Sequence, residues 1–379
     1  MPVSPFDEPI YVIRPVLPSL DEINVKLEEI WRSKQLTNGG AQHRKLERRL
    51  KDHLGVPQLS LFNNGTTALM VACRALGLTG EVITTPFTFA ATPHALTWNN
   101  LTPVFCDIDP ITMDIDANKI EPLITERTSA ILAVHVFGTP CDVEKIQSIA
   151  DRHGLKVIYD AAHAFGVSID GRGIGNFGDA SMMSFHATKI YHTLEGGALM
   201  CRDERLKKTF DLMKNFGIAD EESILCPGLN GKMNELQAAV GLIMLDYVEG
   251  ESQKRSALQT VYIEELSGCE GVRLPPSLRS NVKPNHQHFV IRIERERFGR
   301  SRDEVYDELR RHNVFARKYF YPLCSDYEHY RQLPSAASER LPIAHRVSEE
   351  VLSMPLYGSL KAEDVRRICA IVKECKRDG

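Results

Sequence analysis

The sequence predicts an α/β fold, in which a mostly parallel β-sheet is covered by helices on both faces, together with a smaller C-terminal α+β domain. Two observations support this prediction. Short, continuous apolar runs alternate with helical segments over residues 59–201, which is the pattern of strands buried on both faces. After Gly250 the pattern changes to one clear strand flanked by helices. We therefore expect a large domain over residues 1–250 and a small domain over residues 251–379.

Each apolar run is short enough to be a strand, and each helical segment has an apolar face. The strands predicted for the large domain are residues 59–62, 81–85, 103–107, 130–136, 156–160, 180–185 and 197–201. Its predicted helices are residues 19–33, 66–76, 93–98, 117–124, 143–153 and 234–249. The small domain is expected to follow a proline-rich connection, with its main elements at residues 289–293 (strand), 302–312 and 362–376 (helices).

The composition disfavours several classes of protein. The chain has 379 residues with 46 basic and 50 acidic side chains, and its net charge of −4 gives no reason to expect nucleic acid or an anionic membrane as a partner. No apolar stretch approaches the roughly 20 residues that span a bilayer, and the first 15 residues do not resemble a secretory signal. The nine cysteines match no zinc-binding spacing. We expect reduced thiols, no bound metal and a cytoplasmic location.

Lys189 has the sequence surroundings of a lysine nucleophile. A lysine attacks an aldehyde only when it is removed from bulk water and partly deprotonated. Lys189 follows the apolar run of residues 180–185, lies near the hydroxyls of Ser184 and Thr188, and precedes a Gly-Gly pair. In this setting an amine can form a Schiff base with an aldehyde cofactor, although a lone lysine after a strand is more often a surface residue.

Three other strand ends carry side chains that suit such a cofactor, and ligands bind at the carboxyl ends of strands in sheets of this kind. Gly65 and Thr66, at a strand-to-helix turn, can form a phosphate site or an ordinary capped turn. Phe89 can stack on a flat ring or belong to the core. Asp160 can pair with a pyridinium nitrogen or cap a helix, and His163 can lie beside the same ring or behind it. Together these features predict pyridoxal 5'-phosphate as the cofactor.

Five blocks of sequence carry a resemblance to a known family. They are NGTTAL at 64–69, PFTFAAT at 86–92, DAAHAFG at 160–166, SFHATK at 184–189 and MNELQAA at 233–239. With these blocks the chain resembles the DegT/DnrJ/EryC1/StrS family of nucleotide-sugar aminotransferases over nearly its whole length. The resemblance implies a type I aspartate-aminotransferase-like fold, pyridoxal 5'-phosphate as cofactor, and a homodimer with shared active sites.

By position, the resemblance also assigns site residues. Cofactor contacts are expected from Gly65, Thr66, Phe89, Asp160, His163, Ser184, Lys189 and Asn230. Among these, Lys189 would be the catalytic residue and would hold the cofactor covalently, and Asp160 would bind its pyridine nitrogen. Asn230 would reach the phosphate from the partner subunit. Most members of the family carry arginine where this chain has Lys232, so that no role is assigned to this position.

The resemblance implies transfer of an amino group from L-glutamate, which leaves as 2-oxoglutarate, to the keto group of a nucleotide-linked sugar. The blocks at 186–189, 232–235 and 317–322 look most like the branch that acts on dTDP-linked keto-6-deoxyhexoses, whose products enter surface polysaccharide or O-antigen (lipopolysaccharide) synthesis. Amination at carbon 4 is the commoner case in the family and is the expectation here. Candidate substrate contacts are His288, Lys318, Tyr319 and Tyr321, because aromatic rings suit a base or hexose and cations suit a diphosphate.

Other functions stay open at this point. The keto group can be at carbon 3, so that a dTDP-3-keto-6-deoxyhexose 3-aminotransferase is one alternative. A pyridoxal phosphate-dependent sugar dehydratase is another, but relatives that dehydrate sugars have histidine at the position of Lys189. A catalytically silent regulatory relative would be expected to lose Lys189 or Asp160, and this chain keeps both. An aminotransferase acting on a cyclitol is a further possibility.

Overall fold

A computed structural model describes residues 3–376 of the protein. Its strands, in chain order, are β1 (Ile10–Tyr11), β2 (Gln58–Phe62), β3 (Glu81–Thr84), β4 (Thr102–Phe105), β5 (Thr128–Val134), β6 (Lys156–Asp160), β7 (Ser168–Ile169), β8 (Arg172–Gly173), β9 (Ala180–Ser184), β10 (Gly197–Cys201), β11 (Val272–Arg273), β12 (Val282–Lys283), β13 (Phe289–Ile293), β14 (Val314–Phe315) and β15 (Val351–Met354). Its α-helices are α1 (Leu20–Ser33), α2 (Ala41–Leu54), α3 (Gly65–Ala75), α4 (Ala91–Thr97), α5 (Val143–His153), α6 (Glu204–Met213), α7 (Glu235–Leu266), α8 (Arg295–Phe298), α9 (Arg302–Arg311), α10 (Pro342–Glu350) and α11 (Ala362–Glu374).

A seven-stranded sheet forms the centre of the molecule, with the strand order β2-β10-β9-β6-β5-β3-β4. The pairs from β9 to β4 are parallel, and β10 runs antiparallel to both of its neighbours. Successive residues of β6 enter different apolar cores, with Val157 and Tyr159 in one and Ile158 in the other. The sheet is therefore buried on both faces, which confirms the predicted α/β fold with a mostly parallel sheet.

A third apolar core lies in the C-terminal part of the chain. It combines the antiparallel sheet β11-β13-β15 with side chains of α9, α11 and the second half of α7. Phe6 and Ile10 of the N-terminal segment belong to the same core, and β1 pairs in parallel with β14. The predicted domain boundary at residue 250 falls inside α7, and the division into two domains stays a prediction.

Two predicted helices differ from the structure. Residues 117–124 form two short 3-10 turns, Ala117–Lys119 and Glu121–Leu123, instead of one helix. Pro122 lies in the second turn, where it has no amide hydrogen to donate and disfavours helical backbone at the preceding residue. The helix predicted to end at residue 249 is longer, because α7 continues to Leu266. Within residues 3–376, no helix has the length and apolar character needed to cross a membrane.

Candidate active site

A cavity of about 590 Å³ opens at the carboxyl ends of β6 and β9, beside the N-terminus of α3. This is the edge at which parallel sheets bind ligands. Nine of the residues predicted for the site line it, namely Gly65, Thr66, Phe89, Asp160, His163, Ser184, Lys189, His288 and Tyr319. Residues from separate parts of the sequence therefore meet in one cavity, as expected from their positions after the strands.

Three predicted site residues lie elsewhere in this chain. Asn230 is exposed, and its carbonyl oxygen accepts a hydrogen bond from the Asn63 side chain at 3.3 Å. The Lys318 ammonium pairs with Asp303 at 2.6 Å, which holds it away from the cavity. Tyr321 is 52% exposed and lies outside the cavity. The predicted contacts of these residues with cofactor or substrate stay predictions.

Lys189 is held in a turn directly after β9, where its backbone amide donates to the carbonyl of His186 at 2.9 Å. Burial lowers the pKa of its amine to about 8, and the negative charge of Asp160 opposes this shift. With such a pKa, about a tenth of the lysines carry a free amine at pH 7. Lys189 can therefore act both as a nucleophile and as a carrier of protons.

Asp160 ends β6 and is buried, with both carboxylate oxygens bonded. One oxygen accepts from the Ala162 amide at 3.0 Å and the other from the Thr92 hydroxyl at 2.8 Å. The Thr92 hydroxyl also lies 2.8 Å from that of Thr88. Burial raises the pKa of the Asp160 carboxyl, whereas these two hydrogen bonds and the nearby Lys189 lower it. The carboxylate is thus fixed in position at a cavity wall, where a cationic group would stabilise its charge.

The start of α3 lines the same cavity as Asp160 and has the features of an anion site. The Asn64 side chain caps the helix by accepting from the Thr67 amide at 2.8 Å. The first amides of a helix have no acceptor within it and attract anions. A side chain at Gly65 would lie 2.9 Å from the Met182 sulfur, so that only glycine allows α3 to approach β9 this closely. The Ser184 hydroxyl group lies at the same place and adds a donor.

Two histidines form another wall of the cavity. The rings of His163 and His288 are 4.5 Å apart, and burial lowers the pKa of both well below the usual value. The Phe137 amide donates to Nδ1 of His163 at 3.2 Å. The Phe137 and Phe320 rings stack 5.7 Å apart beside them. Both histidines are therefore neutral at pH 7.

Sequence reasoning missed several residues of this site. Thr92, whose hydroxyl donates to Asp160, lies in the PFTFAAT block at 86–92, and this block is the signal that could have identified it. Phe137 and Phe320 gave no such signal, because they come from distant segments and meet only in the folded chain. Gln287, which contacts His288, was not identified either.

The side chains of the cavity fit pyridoxal 5'-phosphate. Asp160 could hold a protonated pyridine nitrogen, the start of α3 with Ser184 could hold the phosphate, and Lys189 could bind the aldehyde. The ring of Phe89 is 64% exposed, which leaves a face free for stacking. Within the described part of the chain, no cluster of three histidine, cysteine, aspartate or glutamate side chains could hold a metal ion.

Comparison with solved structures gives close matches over nearly the whole chain. DesI in the presence of its TDP-sugar product has a TM-score of 0.93 at 37% identity, and the match covers 98% of this chain and 94% of that chain. Helicobacter pylori PseC, an aminotransferase involved in the biosynthesis of pseudoaminic acid, has a TM-score of 0.90 at 29% identity, covering 97% and 99%. These likenesses confirm the predicted aminotransferase fold.

The sequence comparisons give the same family. The chain is 47% identical to a dTDP-4-amino-4,6-dideoxy-D-glucose transaminase of Escherichia coli, across 97% of this chain and 98% of that protein. It is 43% identical to a transaminase of the same name from Shigella dysenteriae, across 98% of this chain and 100% of that protein. The family match extends over residues 19–373. The chain therefore belongs to the DegT/DnrJ/EryC1/StrS aminotransferase family and is an enzyme of the aminotransferase class.

Proposed function

We propose that this enzyme transfers an amino group from L-glutamate to carbon 4 of a dTDP-linked 4-keto-6-deoxyhexose. The observation that carries the proposal is the meeting of Lys189, Asp160 and the start of α3 in one cavity. The similar transaminases from Escherichia coli and Shigella dysenteriae are named for dTDP-4-amino-4,6-dideoxy-D-glucose. The keto sugar that corresponds to this amino sugar has its ketone at carbon 4. The names of these relatives therefore favour amination at carbon 4 over amination at carbon 3.

In this proposal each side chain of the cavity has a separate chemical role. When bound, pyridoxal 5'-phosphate supplies an aldehyde that carries the amino group and a ring that accepts electrons, provided that Asp160 keeps the ring nitrogen protonated. Lys189 accepts a proton at Nζ as the free amine and returns it as the ammonium, for which a pKa of about 8 is well suited. The rings of His163 and His288, which are neutral at pH 7, line the same cavity as Lys189.

The proposal includes a homodimer with shared active sites. Asn230 lies outside the cavity of its own chain, in a segment that carries exposed apolar side chains. Ile224 and Leu225 are 72% and 66% exposed. A second copy that covered them would remove apolar surface from water and bring Asn230 close to the partner's phosphate site. A cytoplasmic location and a role in O-antigen or other surface polysaccharide synthesis complete the proposal.

The visible absorption spectrum of the purified protein with pyridoxal 5'-phosphate tests the chemistry. In the wild type we expect the band of the lysine-bound cofactor, and addition of L-glutamate should convert it to the spectrum of the amine form. Lys189→Ala removes the nucleophile, so that neither the band nor the conversion should appear. A band that glutamate leaves unchanged would contradict transamination from this donor.

The substrate is tested separately with the amine form of the wild-type enzyme. A dTDP-4-keto-6-deoxyhexose should restore the original band and yield a dTDP-4-amino-4,6-dideoxy sugar. The matched controls are the dTDP-3-keto isomer and a keto-cyclitol, which should react at most slowly. If either control reacted faster than the dTDP-4-keto-6-deoxyhexose, amination at carbon 4 of a hexose would be wrong. The faster compound would then identify the substrate class. A protein that binds cofactor and reacts with none of these compounds would fit the silent relative.

A further inference from the structure

Gln287 is a buried polar residue in contact with the ring of His288. Gln287 is 1% exposed, and a hydrogen bond fixes the orientation of its side-chain amide. The backbone amide of Ile190, directly after Lys189, donates to Oε1 of Gln287 at 3.2 Å. The NH₂ group of Gln287 therefore points the other way, and its Nε2 lies 3.0 Å from Nε2 of His288.

This contact determines which nitrogen of His288 carries the proton. A glutamine NH₂ group can only donate, so that Nε2 of His288 must accept. Burial, with smaller effects of Lys189 and Arg255, lowers the pKa of His288 well below its usual value, and the ring is neutral at pH 7. A neutral imidazole with an accepting Nε2 carries its proton on Nδ1. Among residues 3–376, this Nδ1 has no hydrogen-bond partner.

Gln287 is itself held from several sides. Its backbone amide donates to Oδ1 of Asn285 at 3.1 Å, and its carbonyl accepts from the guanidinium of Arg255 at 3.4 Å. Arg255 pairs with Glu251 at 2.7 Å in the interior of the protein. A residue fixed in this way can impose a tautomer on a neighbour, since it cannot turn to offer its oxygen instead.

The result is a pair of uncharged donors beside Lys189. Nδ1 of His163 accepts from the Phe137 amide, which leaves the proton of His163 on Nε2. The two rings are 4.5 Å apart on the cavity wall, and both carry one N–H group. Uncharged donors can bind an oxygen atom without the repulsion that a second cation would exert on the Lys189 ammonium.

We propose that Gln287 is a positioning residue, which keeps His288 in the tautomer whose Nδ1–H donates a hydrogen bond to an oxygen atom of the bound substrate. The inference rests on the proposed function, in which the same cavity receives first the carboxylates of the amino donor and then the oxygens of the keto sugar. The donor carboxylates and the sugar oxygens can both accept this hydrogen bond. Kinetics of the two half-reactions show which of the two His288 contacts. Gln287 acts through His288 and does not touch the substrate.

The substitution Gln287→Glu tests this tautomer. Its carboxylate still accepts from the Ile190 amide but can no longer donate to His288, so that the proton of the ring moves to Nε2 and Nδ1 becomes an acceptor. In the wild type, NMR of ¹⁵N-labelled histidine should show His288 protonated at Nδ1, with the signal identified by its loss in His288→Asn. In Gln287→Glu the proton should be at Nε2 alone, which leaves Nδ1 as an acceptor.

The kinetic readout is the Michaelis constant in each half-reaction. For the substrate that His288 contacts, we expect KM to rise about tenfold in Gln287→Glu, with a smaller change in kcat. The matched control is Gln259→Glu, because Gln259 donates to the backbone carbonyl of His288 at 2.9 Å and not to its ring. This control should change KM less than twofold. A rise in the glutamate half-reaction alone identifies the donor carboxylate, and a rise in the sugar half-reaction alone identifies a sugar oxygen.

A second pair of variants separates positioning from folding. An asparagine amide can replace Nδ1–H of a histidine, whereas a glutamine amide reaches the position of Nε2, so that His288→Asn should retain more activity than His288→Gln. Gln287→Glu should have no further effect in the His288→Asn background. The proposal is overturned if the wild-type proton is on Nε2, if Gln287→Glu behaves like Gln259→Glu, or if its effect persists in His288→Asn. Failure of the keto sugar to react with wild-type enzyme would instead contradict the proposed function, and the glutamate half-reaction would still test Gln287.

Discussion

Lys189 and Asp160 experience opposite consequences of the same burial. Removal from water disfavours a charge, so it lowers the pKa of the amine to about 8 and raises the pKa of the carboxyl. The attraction between the two groups opposes both shifts. The hydrogen bonds from Thr92 and the Ala162 amide lower the pKa of Asp160 and so favour the ionised form, which is the form that would stabilise a pyridinium ring.

Thr92→Val tests this dependence on a single hydroxyl group. The substitution keeps the shape of the side chain and removes the hydrogen bond to Asp160, which should raise the pKa of the carboxyl further and weaken cofactor binding. We expect the dissociation constant of pyridoxal 5'-phosphate to rise about tenfold, as measured by spectroscopic titration. Thr97→Val is the matched control on the same helix, because its hydroxyl pairs with Tyr330 and not with the site. Equal affinities of the two variants would contradict the assigned role of Thr92.

The sequence identifies residues with distinctive chemistry and fails to identify those whose role depends on a neighbour. Lys189, Asp160 and Gly65 were predicted because an amine, an acid and a glycine at strand ends have few other uses together. Gln287 was not predicted, since a glutamine has many possible partners. Only the folded chain brings its amide between Ile190 and the His288 ring.

At the scale of the helices, we expect the first turn of α3 to have both a structural and a binding role. Asn64→Ala removes the cap on the Thr67 amide and should lower the free energy of unfolding by about 1 kcal/mol. It should also weaken pyridoxal 5'-phosphate binding several-fold, because the amides that face the phosphate lose their fixed orientation. Denaturant titrations and spectroscopic titrations measure the two effects.

Asp203→Ala is the matched control for this prediction. Asp203 caps α6 by accepting from the Arg205 amide at 2.7 Å, and it does not line the cavity. The control should lose a similar stability and bind the cofactor like the wild type. If both variants lowered the affinity equally, the loss would follow general destabilisation, and α3 would have no special role.

The length of α7 shows how packing can override a local signal. The sequence predicted an end at residue 249, because a glycine follows and glycine inside a helix costs about 1 kcal/mol. The helix continues because Glu251 and Arg255 pair within it and later side chains such as Tyr262 pack into the C-terminal core. Contacts between residues that are distant in sequence cannot be predicted from the local sequence pattern.

At the scale of the whole molecule, the sequence predicted the central sheet and not the strand pairing of the N-terminal segment. The alternation of apolar runs and helices is a local pattern that repeats along the chain, and it specifies a parallel sheet. The pairing of Ile10 in β1 with Val314 in β14 has no local signal of this kind. The number of subunits is also a property of the whole molecule, and it requires a separate test.

Complementation between two inactive variants tests the proposed shared site. Lys189→Ala lacks the nucleophile, and Asn230→Asp places a negative charge where the phosphate of the partner's cofactor would bind. Each homodimer should be inactive. A mixed dimer has one site with both substitutions and one site in which Lys189 and Asn230 are intact. Random reassociation of an equal mixture makes about half of the dimers mixed, so that about a quarter of wild-type activity should be recovered. Subunits are exchanged by mild denaturation and dilution, and the Lys189→Ala protein treated alone is the control. If Asn230 served its own chain, no site in the mixture would be intact and activity would stay absent.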